Sequence, residues 1–92
     1  MKYAEMSLDE QNTFKEWLGG LLRDGIVTIT FTKRNGDLRV MKATQNERLI
    51  ANKNGLGQRV NNEIVCVTDV ELDEWRSIRY DSIKEIQFDL KN

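Results

Sequence analysis

The stretch Trp75-Arg76-Ser77-Ile78-Arg79-Tyr80 gathers the side chains of this sequence best suited to holding a ligand. In an extended strand, alternation puts Trp75, Ser77 and Arg79 on one face and Arg76, Ile78 and Tyr80 on the other. An indole, a hydroxyl and a guanidinium side by side suit a nucleotide. The ring offers a stacking surface worth roughly 1–3 kcal/mol per base. The guanidinium offers forked donors for phosphate, and the serine a donor or acceptor for a base edge. The second face adds Arg76 and the hydroxyl tip of Tyr80. A structural reading competes: Trp75 and Tyr80 close the ends of a barrel while the arginines pair with Asp73 and Asp81. The sequence leaves both open.

Arg39, Lys42 and Thr44 can bring positive charge and a hydroxyl to the same ligand. Arg39 and Lys42 have opposite parity, however, and a bulge is needed to put them on one face. In Lys53-Asn54-Gly55-Leu56-Gly57-Gln58-Arg59 the glycines free backbone N–H groups and the cations flank them, so the segment can fold over an anion as a lid. A lone Gly-x-Gly is a weak signal, and a plain flexible loop accounts for the segment better.

Catalytic chemistry finds little material. The chain has no histidine, which removes the usual general base at neutral pH and the Ser-His and Cys-His nucleophile pairs. Cys66 sits in mid-strand between Val65 and Val67, which predicts a buried thiol in a setting that disfavours the thiolate. The acidic run Asp69, Glu71, Asp73 and Glu74 lacks the glycine and distal glutamate of a calcium-binding loop and reads as a solvated turn. The expectation is a binding module, not an enzyme, with no cofactor and no metal.

Charge is unevenly spread. Net charge is −1 over 92 residues, which argues against indiscriminate binding to nucleic acid. Residues 1–24 carry three basic and five acidic side chains, residues 25–62 seven and two, and residues 63–92 four and eight. A basic middle inside an acidic chain suggests a local anion site, and a solvated surface of mixed charge accounts for it equally well. The apolar runs are too short to cross a bilayer. Met1 is not followed by a secretory leader pattern and one cysteine cannot form an internal disulfide, so the expected compartment is the cell interior.

The elements that must position these residues follow from capping and period. Ser7-Leu8-Asp9-Glu10 is a capping box, and Leu8, Phe14, Leu18, Leu21 and Leu22 mark the apolar stripe of a helix over 7–23. Gly19-Gly20 weakens that helix and marks close packing or an early end; Gly25 completes the stop. From there the period is two: Val27, Ile29 and Phe31 alternate with Thr28, Thr30 and Thr32. Asn35-Gly36 predicts a type I′ hairpin into a strand over 38–44. A long loop over 45–62 follows, then a strand over 64–68 that is apolar on both faces and wants a helix or partner chain on one of them. The strand over 75–80 and a closing strand over 84–90, with Ile86, Phe88 and Leu90 inward, complete five. One helix followed by five short strands predicts a single domain over 1–92, mainly β (α+β), with a bent SH3-like barrel over 25–90.

Two blocks carry a resemblance. Phe31-Thr32-Lys33-Arg34-Asn35-Gly36-Asp37-Leu38-Arg39-Val40-Met41-Lys42-Ala43-Thr44 and Trp75-Arg76-Ser77-Ile78-Arg79-Tyr80-Asp81-Ser82-Ile83 resemble the small tailed-phage proteins described as Sm-like, SH3-type β-barrels (WYL-like), over about residues 26–88. The resemblance implies that fold and a phage origin. The chain is also similar to phage anti-CBASS sponge proteins, oligomeric β-rich proteins that sequester cyclic nucleotide immune signals without cleaving them. That likeness implies a homo-oligomer holding a cyclic nucleotide at a subunit interface, in the cytoplasm of an infected bacterial host. The other reading is an Sm-like or SH3-like module that binds RNA, single-stranded DNA or a host protein.

Overall fold

Ser7 opens α1 (Leu8–Asp24) with both halves of the expected capping box. Its hydroxyl accepts from the Glu10 amide at 3.2 Å, and the Glu10 carboxylate accepts from the Ser7 amide at 3.0 Å. These bonds hold the Glu10 carboxyl below its ordinary range. The computed structural model describes residues 2–49 and 62–89. Phe14, Leu18 and Leu22, one turn apart, are buried against the sheet; each fully buried leucine contributes roughly 1.5–3 kcal/mol relative to exposure. Leu8, on the first turn, is not part of the stripe: it stands 71% exposed and lines a surface recess with Tyr3 and Lys15. Gly19 and Gly20 do not end the helix, and of the two only Gly19 packs closely, since a Cβ there would come within 3.1 Å of the Arg23 guanidinium. The helix runs through both to Asp24, and a Cβ added at Gly20 would meet nothing within 4 Å. The Gly25 amide donates to Leu21 O at 3.1 Å and closes the last turn.

Five strands form one antiparallel sheet: β1 (Ile26–Thr32), β2 (Leu38–Thr44), β3 (Ile64–Asp69), β4 (Glu74–Arg79) and β5 (Ile83–Phe88). Their order is β4-β3-β2-β1-β5. β1 and β2 pair along seven positions, from Ile26 opposite Thr44 to Thr32 opposite Leu38. β3 meets β2 at two positions alone, Ala43 opposite Asp69 and Thr44 opposite Thr68. So short a ladder lets the β3–β4 hairpin swing away from the other three strands, and this bend makes the sheet a barrel of the SH3 and Sm-like type. β5 returns beside β1 with a bulge: Thr30 faces Glu85 but Phe31 faces Ile83, which leaves Lys84 as the extra residue.

The β1–β2 connection is not a type I′ turn. Gly36 has φ of +91° and Asn35 does not share the left-handed region. The Gly36 amide donates to Lys33 O at 2.9 Å and the Lys33 amide to Asp37 O at 2.8 Å. This is a type I turn closed by a left-handed glycine, the three-residue alternative to the two-residue loop. Asn35 instead works through its side chain, whose Oδ1 accepts from the Asp37 amide at 3.0 Å.

The core side of the sheet carries Val27, Ile29, Phe31, Met41, Ala43, Val65, Val67, Ile78 and Ile83, with α1 across it. The chain before α1 joins this core. Tyr3, in a 3-10 turn over Tyr3–Glu5, stacks on Tyr80 with centroids 5.6 Å apart and meets the edge of Phe14 at 5.9 Å. Nothing in the sequence pattern marks Tyr3, since a lone aromatic ahead of a capping box has no period to join. β5 begins at Ile83, one residue ahead of the expected closing strand, and Ile83 is buried. Part of the long loop is ordered as a 3-10 turn over Glu47–Leu49; the segment Lys53–Arg59 and Leu90 lie outside the described residues. No helix among the described residues is long and apolar enough to cross a membrane.

Candidate functional site

Strand alternation on β4 holds as expected, but the strand does not gather its side chains into one site. Trp75, Ser77 and Arg79 project from the side away from the core, opposite Thr68, Cys66 and Ile64 respectively. Trp75 is half-buried, neither sealed in the barrel nor fully presented to solvent. Arg76 shares the core side with Ile78; its guanidinium binds the Glu74 carboxylate and donates to Trp75 O at 2.8 Å. Glu74, not the expected Asp73, is therefore its acidic partner. Tyr80 has left the strand for a 3-10 turn over Tyr80–Ser82, and its ring packs on Tyr3 and Phe14. Burial pushes its phenol pKa up, with Tyr3 and Cys66 adding to the shift.

The three candidates on β2 separate in the same way. Arg39 lies on the core side, where Nη2 donates to Asp69 Oδ2 at 2.6 Å. Lys42 lies on the outer side, exposed, opposite Thr28 with Gln87 beyond it. β2 has no bulge to bring the two together; the irregularity lies between β1 and β5. Thr44 is buried and fully employed, which corrects its assignment as a ligand contact. Its hydroxyl donates to Gly25 O at 2.7 Å and reaches Leu22 O at 3.2 Å, and it accepts from the Asn46 amide at 3.0 Å. It ties the end of α1 to the end of β2.

Asp69 also departs from expectation. It is a buried strand end, not a solvated turn residue. Besides holding Arg39, its Oδ1 accepts from the Glu71 and Leu72 amides at 3.1 and 3.2 Å and shapes the β3–β4 turn. Cys66 is on the outer side and half-buried, since its neighbours Val65 and Val67 point the other way. Burial raises its thiol pKa, which disfavours the thiolate. Among the described residues no group of three or more metal-ligating side chains comes together.

Of the eight, Lys42 lines a recess of about 500 Å³ with Thr28, Gln87 and Asp89 on the outer face of the sheet, and Arg79 lines the one that gathers several elements. A recess of about 560 Å³ lies between the first half of α1, the Tyr3 turn and the facing ends of β3 and β4, within the volume range of small-ligand sites. Arg79 and Lys15 supply cations, Gln11, Asn12 and Asn62 supply amides, Tyr3 supplies an aromatic wall, and Glu63 and Asp81 supply carboxylates. The Arg79 guanidinium forks onto Asp81, Nε to Oδ1 at 3.1 Å and Nη2 to Oδ2 at 3.0 Å, with Glu63 Oε2 at 4.0 Å from Nη1. The fork holds the Asp81 carboxyl below its ordinary range and raises Arg79. Lys15 Nζ sits 5.3 Å over the Tyr80 ring, so the ring fixes the ammonium at the cleft without neutralising it. A phosphate can be met by Lys15 and Arg79, and a base edge by the three amides. Lys15, Gln11 and Asn12 escape a sequence reading because they look like an ordinary polar helix face. Only the docking of α1 beside Arg79 brings that face to the recess.

These features define a small Sm-like, SH3-type barrel with a polar cleft beside its helix. The chain belongs to the WYL_2 family, described as having an Sm-like SH3 beta-barrel fold, whose family model matches residues 16–84. That match includes the second half of α1, beyond the barrel blocks that carry the resemblance in the sequence. No curated protein and no solved structure matches the chain.

Proposed function

We propose that the protein is a non-catalytic binding module that holds a small anionic ligand of the nucleotide class in the cleft between α1 and the end of β4. The observation that carries this reading is the convergence of Arg79 and Lys15, from different elements, on one recess that also presents three side-chain amides. Two cations suit phosphate, while Glu63 and Asp81 at the same rim repel long polyanions and leave room for a compact ligand that can donate to them. The lack of any histidine and a thiol held away from its reactive form favour capture over turnover. A sequestering protein needs affinity and stoichiometry alone.

The finer form of this reading is sequestration of a cyclic oligonucleotide immune signal in the cytoplasm of an infected bacterium. It draws on the likeness of the sequence to phage sponge proteins, and on the match between a dinucleotide's two phosphates and two bases and the cations and amides of the cleft. Protein purified from bacteria that make cyclic oligonucleotides is expected to release such a compound on heating, identifiable by mass spectrometry. Release of nothing, together with salt-sensitive binding of RNA or single-stranded DNA, would move the function to nucleic-acid binding.

A further inference from the structure

We propose that a second copy of this chain docks the outer face of its β1–β2 hairpin onto an acidic, aromatic-floored groove along α1, so that copies associate head to tail. The hairpin supplies the first patch. Leu38 and Val40 project from the outer face of β2 at 65% and 62% exposure, on the same side as Lys42, with Lys33 and Arg34 in the adjoining turn. The acids near this patch are Asp37, held by Asn35 in the same turn, Asp89, which shares a recess with Lys42, and Glu85, opposite Thr30 and two strands away from Val40; Lys33, Arg34 and Lys42 stand against them on the hairpin itself. Apolar side chains this exposed on a sheet face that no other described element covers, with cations at its rim, mark an interaction surface.

The helix supplies the second patch. Phe14 and Trp17 floor a recess of about 510 Å³ rimmed by Asp9, Glu10 and Thr13. Trp17 is 42% exposed and rests edge-on against Phe88 at 5.5 Å, so its ring is held rigid while presenting a face outward. Aliphatic knobs on a basic rim meet an aromatic floor in an acidic rim, complementary in both shape class and charge.

The two patches cannot meet within one chain. α1 covers the core side of β1 and β2, whereas Leu38 and Val40 stand on the reverse side of the same strands. Nor does either patch suit itself. Hairpin on hairpin sets Lys33, Arg34 and Lys42 against their own copies, and groove on groove does the same to Asp9 and Glu10. Joining unlike patches removes both repulsions and gives a heterologous contact, which closes into a ring or extends as a chain.

Light scattering on the full chain tests this. The wild type is expected to exceed its 10.7 kDa monomer mass as concentration rises at low salt. A copy with a blocked groove (Asp9→Lys with Thr13→Arg) and a copy with a blocked hairpin (Val40→Asp, or Lys42→Glu if the first melts early) are each expected to stay monomeric while keeping the wild-type circular dichroism. Mixed together they are expected to form a 1:1 dimer, because each retains the half the other lacks. A wild type that is monomeric at every concentration overturns the proposal. So does association that survives both variants, or a mixture that stays monomeric. Binding of a Lys/Arg-rich apolar peptide in the groove of a chain that remains monomeric also overturns it and gives the groove to a partner of that chemistry.

Discussion

Arg39 on β2 and Asp69 at the end of β3 are joined across the core side of the barrel at 2.6 Å, with the carboxylate side chain 4% exposed and the guanidinium 30%. The pair bridges the two halves of the sheet where backbone pairing shrinks to two positions. The Arg39 charge thus serves the fold, which removes it from the ligand site its sequence position suggested. Asp69→Ala strands a part-buried guanidinium and leaves the Glu71 and Leu72 amides without their acceptor. A loss of about 2–4 kcal/mol in urea unfolding is expected.

Thr44→Val keeps the shape of a buried side chain and removes its hydroxyl. Leu22 O and Gly25 O lose a donor and the Asn46 amide loses an acceptor. Unfolding free energy is expected to fall by about 1–3 kcal/mol, with ligand-induced stabilisation unchanged in the folded variant.

Gly20→Ala is expected to stabilise. The position is helical and a Cβ there meets nothing, so the replacement restricts the unfolded chain at no steric cost. A gain of about 0.5–1 kcal/mol in the same urea experiment is the expected result.

Stability is expected to fall at both ends of the pH scale for separate reasons. Arg79 lowers the Asp81 pKa by hydrogen bonding. Its contribution is present above the usual carboxylate value of about 4 and is lost as pH falls through the lowered value. Burial raises the Tyr80 pKa, so its contribution is complete below the usual value of about 10 and is lost as pH rises through the raised one. Melting curves across pH check both: Asp81→Asn flattens the acid limb and Tyr80→Phe the alkaline limb.

Much of this fold is legible because its signals are local. The capping box at Ser7, the alternation from Val27 to Thr32 and the Gly25 stop depend on near neighbours, and they stand where the sequence puts them. The turn at Asn35-Gly36 was legible as a turn but not as to type, because one extra residue and a left-handed Gly36 satisfy the same sequence. The site was less legible for a physical reason. Strand parity tells which residues share a face of β4, and Trp75, Ser77 and Arg79 do share one. It says nothing of which carboxylate from another element reaches Arg39, or that α1 brings Lys15 to the far end of the same strand. Thr44 shows the same limit: nothing local in the sequence marks a threonine whose hydroxyl is taken up by the Leu22 and Gly25 carbonyls at the end of α1.

Whether Arg79, in the cleft beside α1, holds a nucleotide-class anion is read out by thermal shift with a panel of cyclic di- and trinucleotides. A ligand at 100 times its Kd contributes about 2.7 kcal/mol, a rise in Tm on the order of 10 °C for a domain of this size. That rise is expected for the wild type and for Trp75→Ala, whose side chain lies outside the cleft, and is expected to vanish in a folded Arg79→Ala protein. A wild type that no nucleotide stabilises, or an Arg79→Ala protein that keeps the full shift, would contradict this role of Arg79.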